Sequence, residues 1–476
     1  MTKPQENPSE TKQTYDNLSE FVGPLKRAAI DAYMASQVYW TDHYEIEDGM
    51  YVEKSMIHGK EAYITCPDAS TGLGGGEVYM KKYGDRRDPN YKPEQTLRAQ
   101  KIFDGIRNRI DEALKPLMGL PVIDQIESQA TLCKNATSLI IPETVSDGDR
   151  TITAGTVGTD LGDVKQKLNN MNGQFVRAFS KVVTKMISVD EAQACLPRLC
   201  HRAFAAESAM FSEVRDGVLN VVIQAIEVFK SVQMHQEKGF EVVISAAQKV
   251  VEIYSALTGK DGKVIAGLKF GLENIGDLVS NLNKNPCKEF EDAMSTFEGN
   301  LKAIVDIITK IETKIADNLR QNYDHISSED NRQLVDIKLA PISSDEVEGA
   351  NVLDVNETIV GDVSSILKNE VSSQFTLASS TMAGVNPYGP LRRQGKVTEV
   401  SQAISNLQWL FVRLAKELAW DINEAADNFK ISSDYIHNQD QENVEKLKES
   451  QSEIETGSSY DTWSNKNGPG LPNTGR

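Results

Sequence analysis

The sequence predicts an all-α protein: an elongated bundle of long amphipathic helices with a small irregular or β insertion near the N-terminus. Two apolar stripes and the confinement of strand-like residues to one short region predict it. The first stripe is Met294, Phe297, Leu301, Ile304, Ile308, Ile311, Ile315 and Asn318, with Lys302, Asp306, Lys310, Glu312 and Lys314 between its members. The second is Val397, Val400, Ile404, Leu407, Phe411, Leu414 and Leu418, continuing through Ile422, Ala425 and Phe429. Steps of three and four put each set on one narrow face of a helix, and such a face requires a partner helix. Phe297, Leu301, Ile304, Ile308, Ile311, Leu407, Phe411, Leu414 and Leu418 are therefore the candidate helix-packing interface. Intramolecular core is the first reading of it, and an intermolecular coiled coil is the alternative.

Taken in order, further helices are predicted over Leu18–Tyr44, Pro93–Leu117, Val122–Ser138, Leu161–Asn170, Phe175–Ile187, Asp190–Gln233, Phe240–Leu257, Val264–Leu282 and Ile359–Met382. Gly259-Lys-Asp-Gly262 supplies two residues free to adopt positive φ, so Phe240 to Leu282 reads as an antiparallel helical hairpin. Between Glu45 and Arg87, the β-prone Tyr51-Val52, Ala62-Tyr63-Ile64 and Val78-Tyr79 are separated by Gly and Pro, which marks a strand-and-loop insertion. The domain reading is a disordered N-terminus at 1–16, a helix plus insertion at 17–92, a helical bundle at 93–326, an acidic linker at 327–357, C-terminal helices at 358–452 and a disordered tail at 453–476.

Composition excludes some functions. The 476 residues carry a formal net charge of -18, from 51 Lys+Arg against 69 Asp+Glu, and such a balance disfavours nucleic acid, whose affinity rests on basic side chains displacing counterions. Met1 to Asp16 shows no basic and apolar regions of a Sec signal peptide. The most apolar window, Phe240 to Leu257, contains Glu241, Lys249 and Glu252, so no stable transmembrane segment is expected. Five cysteines in so long a chain imply no disulfide framework.

The search for catalytic chemistry nominates no catalytic residue, no metal ligand and no cofactor. H-E-x-x-H, G-x-S-x-G and C-x-x-C are absent. Gly259 to Lys263 has the wrong glycine spacing for a phosphate loop. Gly72-Leu-Gly74-Gly75-Gly76, with Lys81 and Lys82 nearby, lacks the strand-to-helix frame of a dinucleotide site and reads as a flexible loop. Cys195 and Cys200, beside His201, are separated by about 500° of helical rotation and fall on different faces, which fits buried apolar thiols and not a metal site.

The most informative short segment runs from Val164 to Phe179. One helix leads to Asn170, Gly173 lets the backbone reverse, and Phe175, Val176 and Phe179 restart an apolar face. This segment resembles the W-x-G turn of the helical-hairpin proteins exported by type VII secretion. Met171 takes the Trp position, while Gly173 and the Phe six residues on, Phe179, match. In looser form the resemblance extends over Leu161–Leu282 and Val397–Leu447 and points to the larger actinobacterial relatives. The family's Tyr-x-x-x-Asp/Glu export signal is departed from: Tyr435 is followed by Gln439, with the acid only at Asp440. A literal match, Tyr44 to Asp48, stands at the other end of the chain.

Leu471-Pro472-Asn473-Thr474-Gly475 resembles a sortase sorting signal, although no apolar stretch and basic end follow it before Arg476. A chance match or a remnant of expression competes with that reading. The resemblances imply a non-enzymatic protein, secreted or on the cell surface, with protein partners or self-association through helices and with secretion machinery as a partner. Two alternatives stay open: a membrane-active toxin inserting the 240–282 hairpin, and a cytoplasmic or phage-derived structural protein.

Overall fold

The computed structural model describes residues 13–36, 45–55, 59–141, 143–147, 150–154, 157–241, 245–256, 286–336 and 356–455. In chain order these form α1 (Leu18–Ser36), the strands β1 (Glu45–Glu47), β2 (Met50–Ser55), β3 (Lys60–Thr65), β4 (Val78–Lys82) and β5 (Asn90–Tyr91), then α2 (Pro93–Leu114) and α3 (Ile123–Ile140). After β6 (Glu143–Asp147) and β7 (Arg150–Ala154) come α4 (Val157–Asn169), α5 (Gln174–Gln193), α6 (Cys195–Gln233), α7 (Ala246–Ala256), α8 (Phe290–Ser327), α9 (Glu329–Val335), α10 (Glu357–Ser365), α11 (Ser372–Ala383) and α12 (Glu399–Glu455). Helix dominates, as the stripes predict. The N-terminal insertion, however, is a regular antiparallel sheet of order β1-β2-β3-β4-β5.

The chain divides into two compact units. One comprises Met1–Thr137, Ala194–Arg332 and Ser380–Val412; the other comprises Ser138–Gln193, Gln333–Ser379 and Arg413–Arg476.

In the first unit, one face of the sheet is apolar and lies against helices. Tyr51, Ile64 and Val78 occupy one row across β2, β3 and β4 and are nearly inaccessible, as expected of an antiparallel sheet with a single covered face. The Tyr51 hydroxyl donates to Asp31 on α1 at 2.5 Å, and its ring meets Phe103 of α2 edge-on at 6.2 Å. Arg27 donates to the same Asp31 at 2.8 Å, and the Val78 N–H donates to Thr96 Oγ1 at the start of α2 at 2.9 Å.

The glycine-rich segment after β3 corrects the expectation of a flexible loop. Asp68 Oδ1 accepts from the backbone N–H groups of Ser70 and Thr71, at 3.0 and 2.7 Å, and from both hydroxyls. Arg107 of α2 donates to the Gly72 carbonyl at 2.8 Å and also to that of Gly74. The segment therefore turns carbonyl oxygens onto a guanidinium and offers no cradle for an anion. Gly23 on α1 is what admits it, because a Cβ there would stand 1.9 Å from the Ser70 carbonyl oxygen.

The rest of that unit's core is helical. Phe204, Phe211 and Phe229 of α6 are fully buried, and Phe290 at the start of α8 contacts both Phe229 and Tyr33 of α1, with ring centroids 6.0 and 5.3 Å away. The predicted helix Asp190–Gln233 is two helices, broken at Ala194; Pro197 sits in the first turn of α6, where its missing N–H costs little. The predicted Phe240–Leu257 helix begins only at Ala246, while Phe240 is buried ahead of it. The Gly259–Gly262 turn and Val264–Leu282 lie outside the described residues, as do Tyr44 and Leu471 to Gly475. Among the described residues, no helix is long and apolar enough to cross a membrane.

The second unit holds the strand pair β6–β7, joined in antiparallel register from Glu143↔Ala154 to Asp147↔Arg150, which the helical reading did not anticipate. The predicted helix Ile359–Met382 appears as α10 and α11 linked by a π-helical turn at Ile366–Val371. Asn356 caps α10, its side-chain oxygen accepting from the N–H groups of Thr358 and Ile359. Ser372 donates to the Ala419 carbonyl at 2.9 Å and accepts from Asn423 at 2.8 Å, and Lys368 pairs with Asp427.

Candidate functional site

The segment singled out by the sequence forms a helical hairpin in the second unit. Along α4, Leu161, Val164 and Leu168 are buried at every turn; along α5, Val176, Phe179, Val183 and Met186 are. The reversal is tight: the N–H groups of Asn170 and Met171 donate to the carbonyls of Lys167 and Leu168, both at 3.1 Å. Gly173 follows with φ of 134°, a conformation that residues bearing a Cβ rarely adopt, and its carbonyl then accepts from Arg177 as α5 begins. Met171 tucks inward at 5% exposure, the position an apolar anchor at the hairpin tip requires.

The outer seam of the hairpin rests on α12. Phe175 and Phe179, one helical turn apart, both stack on Phe429, with ring centroids 5.0 and 4.1 Å away and planes inclined by 15° and 17°. Gln193 at the end of α5 donates to the carbonyls of Val335 and Leu414, and Lys167 pairs with Asp362 of α10 at 2.8 Å.

The candidate packing residues are interior. Phe297, Leu301, Ile304, Ile308, Ile311, Leu407 and Phe411 in the first unit, and Leu414 and Leu418 in the second, are at most 2% exposed. They serve the chain's own core. Of the candidate export signal, Tyr435 is 66% exposed on α12, whereas Asp440 lies five residues on, about 140° around the same helix.

Sequence reasoning missed a cluster of buried charge in the first unit. Glu207 of α6 is 1% and Glu312 of α8 is 7% exposed, and Arg393 binds Glu312 at 2.8 Å. Burial pushes Glu312 up to about 7, against the pull of Arg393. Glu207 is raised well above the usual carboxylate range, first by burial and then by the charge of Glu312. Such a pair takes up protons near neutral pH. The available signal was Glu207 itself, set between Phe204 and Phe211 in an otherwise small and apolar run; Glu312 had been counted among the solvated residues of its stripe, and that is corrected here by its burial.

Cys195 and Cys200 are fully buried, and burial lowers His201 to about 4, helped by Lys134 and Arg202. Among the described residues, no group of three His, Cys, Asp or Glu side chains could hold a metal ion. A groove of about 540 Å³ between α2 and α8 is lined by Gly105, Ala113, Pro116 and Val305, with Arg109 bound to Glu298 at 2.8 Å and to Glu291 at 2.9 Å.

Comparison of the chain with family models, with characterised proteins and with solved structures gives no match.

Proposed function

We propose that this chain is a non-enzymatic exported protein that acts through helix–helix association, like the type VII secretion substrates that its segment from Val164 to Phe179 resembles. The observation that carries this reading is the α4–α5 hairpin, which reverses at Met171-Asn172-Gly173 and seats Phe179 against a third helix. A hairpin with a glycine reversal and a buried apolar anchor is what the resemblance leads one to expect.

The surface through which the protein meets a partner is the outer face of α12. Trp420, Ile431 and Tyr435 are 58%, 64% and 66% exposed. Steps of eleven and four residues on a helix amount to about 20° and 40° of rotation, so the three share one face. An exposed apolar ridge of this kind marks an interaction surface, and either a second copy or a different helical protein suits it. Tyr435, on this ridge, is the side chain assigned to recognition by the secretion machinery.

The test is export. The protein is sought in the culture medium of its host and of a derivative lacking the secretion ATPase; the expected result is that it reaches the medium only in the former. Equal amounts in both would overturn the export reading. Association is read separately by sedimentation of the wild type and of Ile431→Ser/Tyr435→Ser, alone and with host extract; a wild type that remains monomeric and captures nothing would overturn that part.

A further inference from the structure

The face of the five-stranded sheet turned away from Tyr51 carries a row of aromatic rings. Tyr63 of β3, Tyr79 of β4 and Tyr91 of β5 are direct partners in the ladder, Tyr63↔Tyr79 and Tyr79↔Tyr91. They therefore project from the same face of adjacent strands, at the inter-strand spacing of roughly 4.8 Å. The rings of Tyr79 and Tyr91 are 5.5 Å apart, and Tyr91, on the last strand of the sheet, is 50% exposed.

Polar groups border this row on both sides. The Tyr63 hydroxyl donates to Glu61 at 2.6 Å, and the Tyr79 hydroxyl donates to Glu77 at 3.0 Å. Lys81, the ladder partner of Glu61, binds that carboxylate at 3.0 Å and stands 5.3 Å above the Tyr63 ring. On the other side, Thr65 Oγ1 accepts from the Glu77 N–H. The platform is held rigid from behind, where Tyr51, Ile64 and Val78 are locked against α1 and α2.

We propose that this face binds a neutral oligosaccharide chain. A sugar ring offers an apolar C–H face and a rim of hydroxyl groups. The tyrosine row supplies flat apolar surface with a negative quadrupole, and Glu61, Glu77, Thr65 and Lys81 supply acceptors and donors around it. A protein interface would need a wide dry centre, and here the residues two positions from each central tyrosine are charged or hydroxylic. Nucleic acid also stacks on aromatic rows, but its phosphates meet two carboxylates for one ammonium here, on a chain of net charge -18. A rigid aromatic platform requires little ordering on binding, which favours a weakly interacting polyol.

The experiment is titration calorimetry of the full chain with cellohexaose, laminarihexaose, chitohexaose and maltohexaose, and with a twelve-residue oligothymidylate. Saturable binding of at least one hexasaccharide is expected, weakened roughly tenfold or more in Tyr91→Ala and in Tyr79→Ala and retained in Tyr91→Trp. Tyr91 is exposed at the margin of the sheet, so its replacement leaves the fold intact, and a thermal melt of each variant verifies this. Tyr435→Ala, on α12, is the control and binds like the wild type. No binding to any of the four sugars, binding indifferent to both tyrosine replacements, or binding of the oligothymidylate in preference to the sugars would each overturn the proposal. None of these outcomes depends on the route of export.

Discussion

The ring of Phe179 on α5 lies nearly parallel to that of Phe429 on α12, with centroids 4.1 Å apart and planes inclined by 17°. Phe429 is 1% exposed and also carries Phe175 on its surface, so three aromatic side chains hold the hairpin to α12. Replacing Phe429 by Ala removes both stacks and leaves a cavity that neither neighbour can fill alone. The expected cost is about 3–5 kcal/mol, read as a fall in the urea midpoint of the second unit. A loss below 1 kcal/mol would mean that the hairpin does not depend on this seam.

Two glycines are expected to resist a change to Ala, and a third to welcome it. Gly173→Ala forces a Cβ onto a φ of 134°, at an expected cost of about 1–3 kcal/mol. Gly23→Ala drives a Cβ into the Ser70 carbonyl and is expected to loosen the glycine-rich segment from α1. Gly299 lies within α8 with nothing near its missing Cβ, and Gly299→Ala should stabilise by roughly 0.5–1 kcal/mol. Thermal melts of the three variants check the ranking.

Stability should carry a pH signature from Glu207 and Glu312. Below a pH of about 4.5 both carboxyls are protonated whether the chain is folded or not. As pH rises, the unfolded chain releases these protons first, because the folded Glu312 holds its proton up to about 7 and Glu207 is raised as well. The unfolded state then binds fewer protons than the folded one, so this contribution declines as pH rises and is lost once pH passes the folded value. For Glu312 the loss is on the order of 3 kcal/mol. Melting curves of wild type and Glu312→Gln between pH 5 and 8 isolate it, and the advantage of the variant should grow with pH; a constant difference would show that Glu312 ionises normally.

The thiols should be slow to alkylate. Burial raises Cys133 and Cys200, and Cys66, half-buried beside Tyr51, is pushed up to about 11. Little thiolate exists at pH 8 in any of them, and thiolate is the reactive form. Iodoacetamide at that pH is expected to modify Cys66 slowly and to spare Cys133 and Cys200 until denaturant is added, as peptide mass spectrometry would report. Rapid labelling of Cys200 in the native protein would contradict its burial.

What could be read in advance followed from how much chain each signal spans. The stripes from Met294 to Ile315 and from Val400 to Phe429 repeat over many turns, and both are buried along their length. The reversal at Gly173 was readable because only glycine tolerates that backbone. The strand pair β6–β7 escaped notice although Gly148-Asp149, flanked by Thr, Val and Ile, is a two-residue hairpin signal. Its strands are too short to stand out beside long helical periodicities. Glu207 with Glu312 and Arg393, and the row of Tyr63, Tyr79 and Tyr91, could not be found by spacing, since each assembles residues from separate elements. Sheet register and the pairing of helices, which no local pattern encodes, bring them together.

The π-helical turn at Ile366–Val371 gives the spacing around it a meaning as phase. Val363, Leu367, Val371 and Phe375 are all buried and follow one another at intervals of four. In an unbroken α-helix three such steps would wind the side chains about 120° away from where they began. The wider turn absorbs the drift and keeps them on one side, behaving as an insertion of a single residue inside an otherwise regular helix. Deleting Asn369 would restore ordinary winding at the expense of alignment, swinging Phe375 and Ala378 by about 100° off the seam. A frame of this kind tolerates changes of side chain much more readily than changes of length.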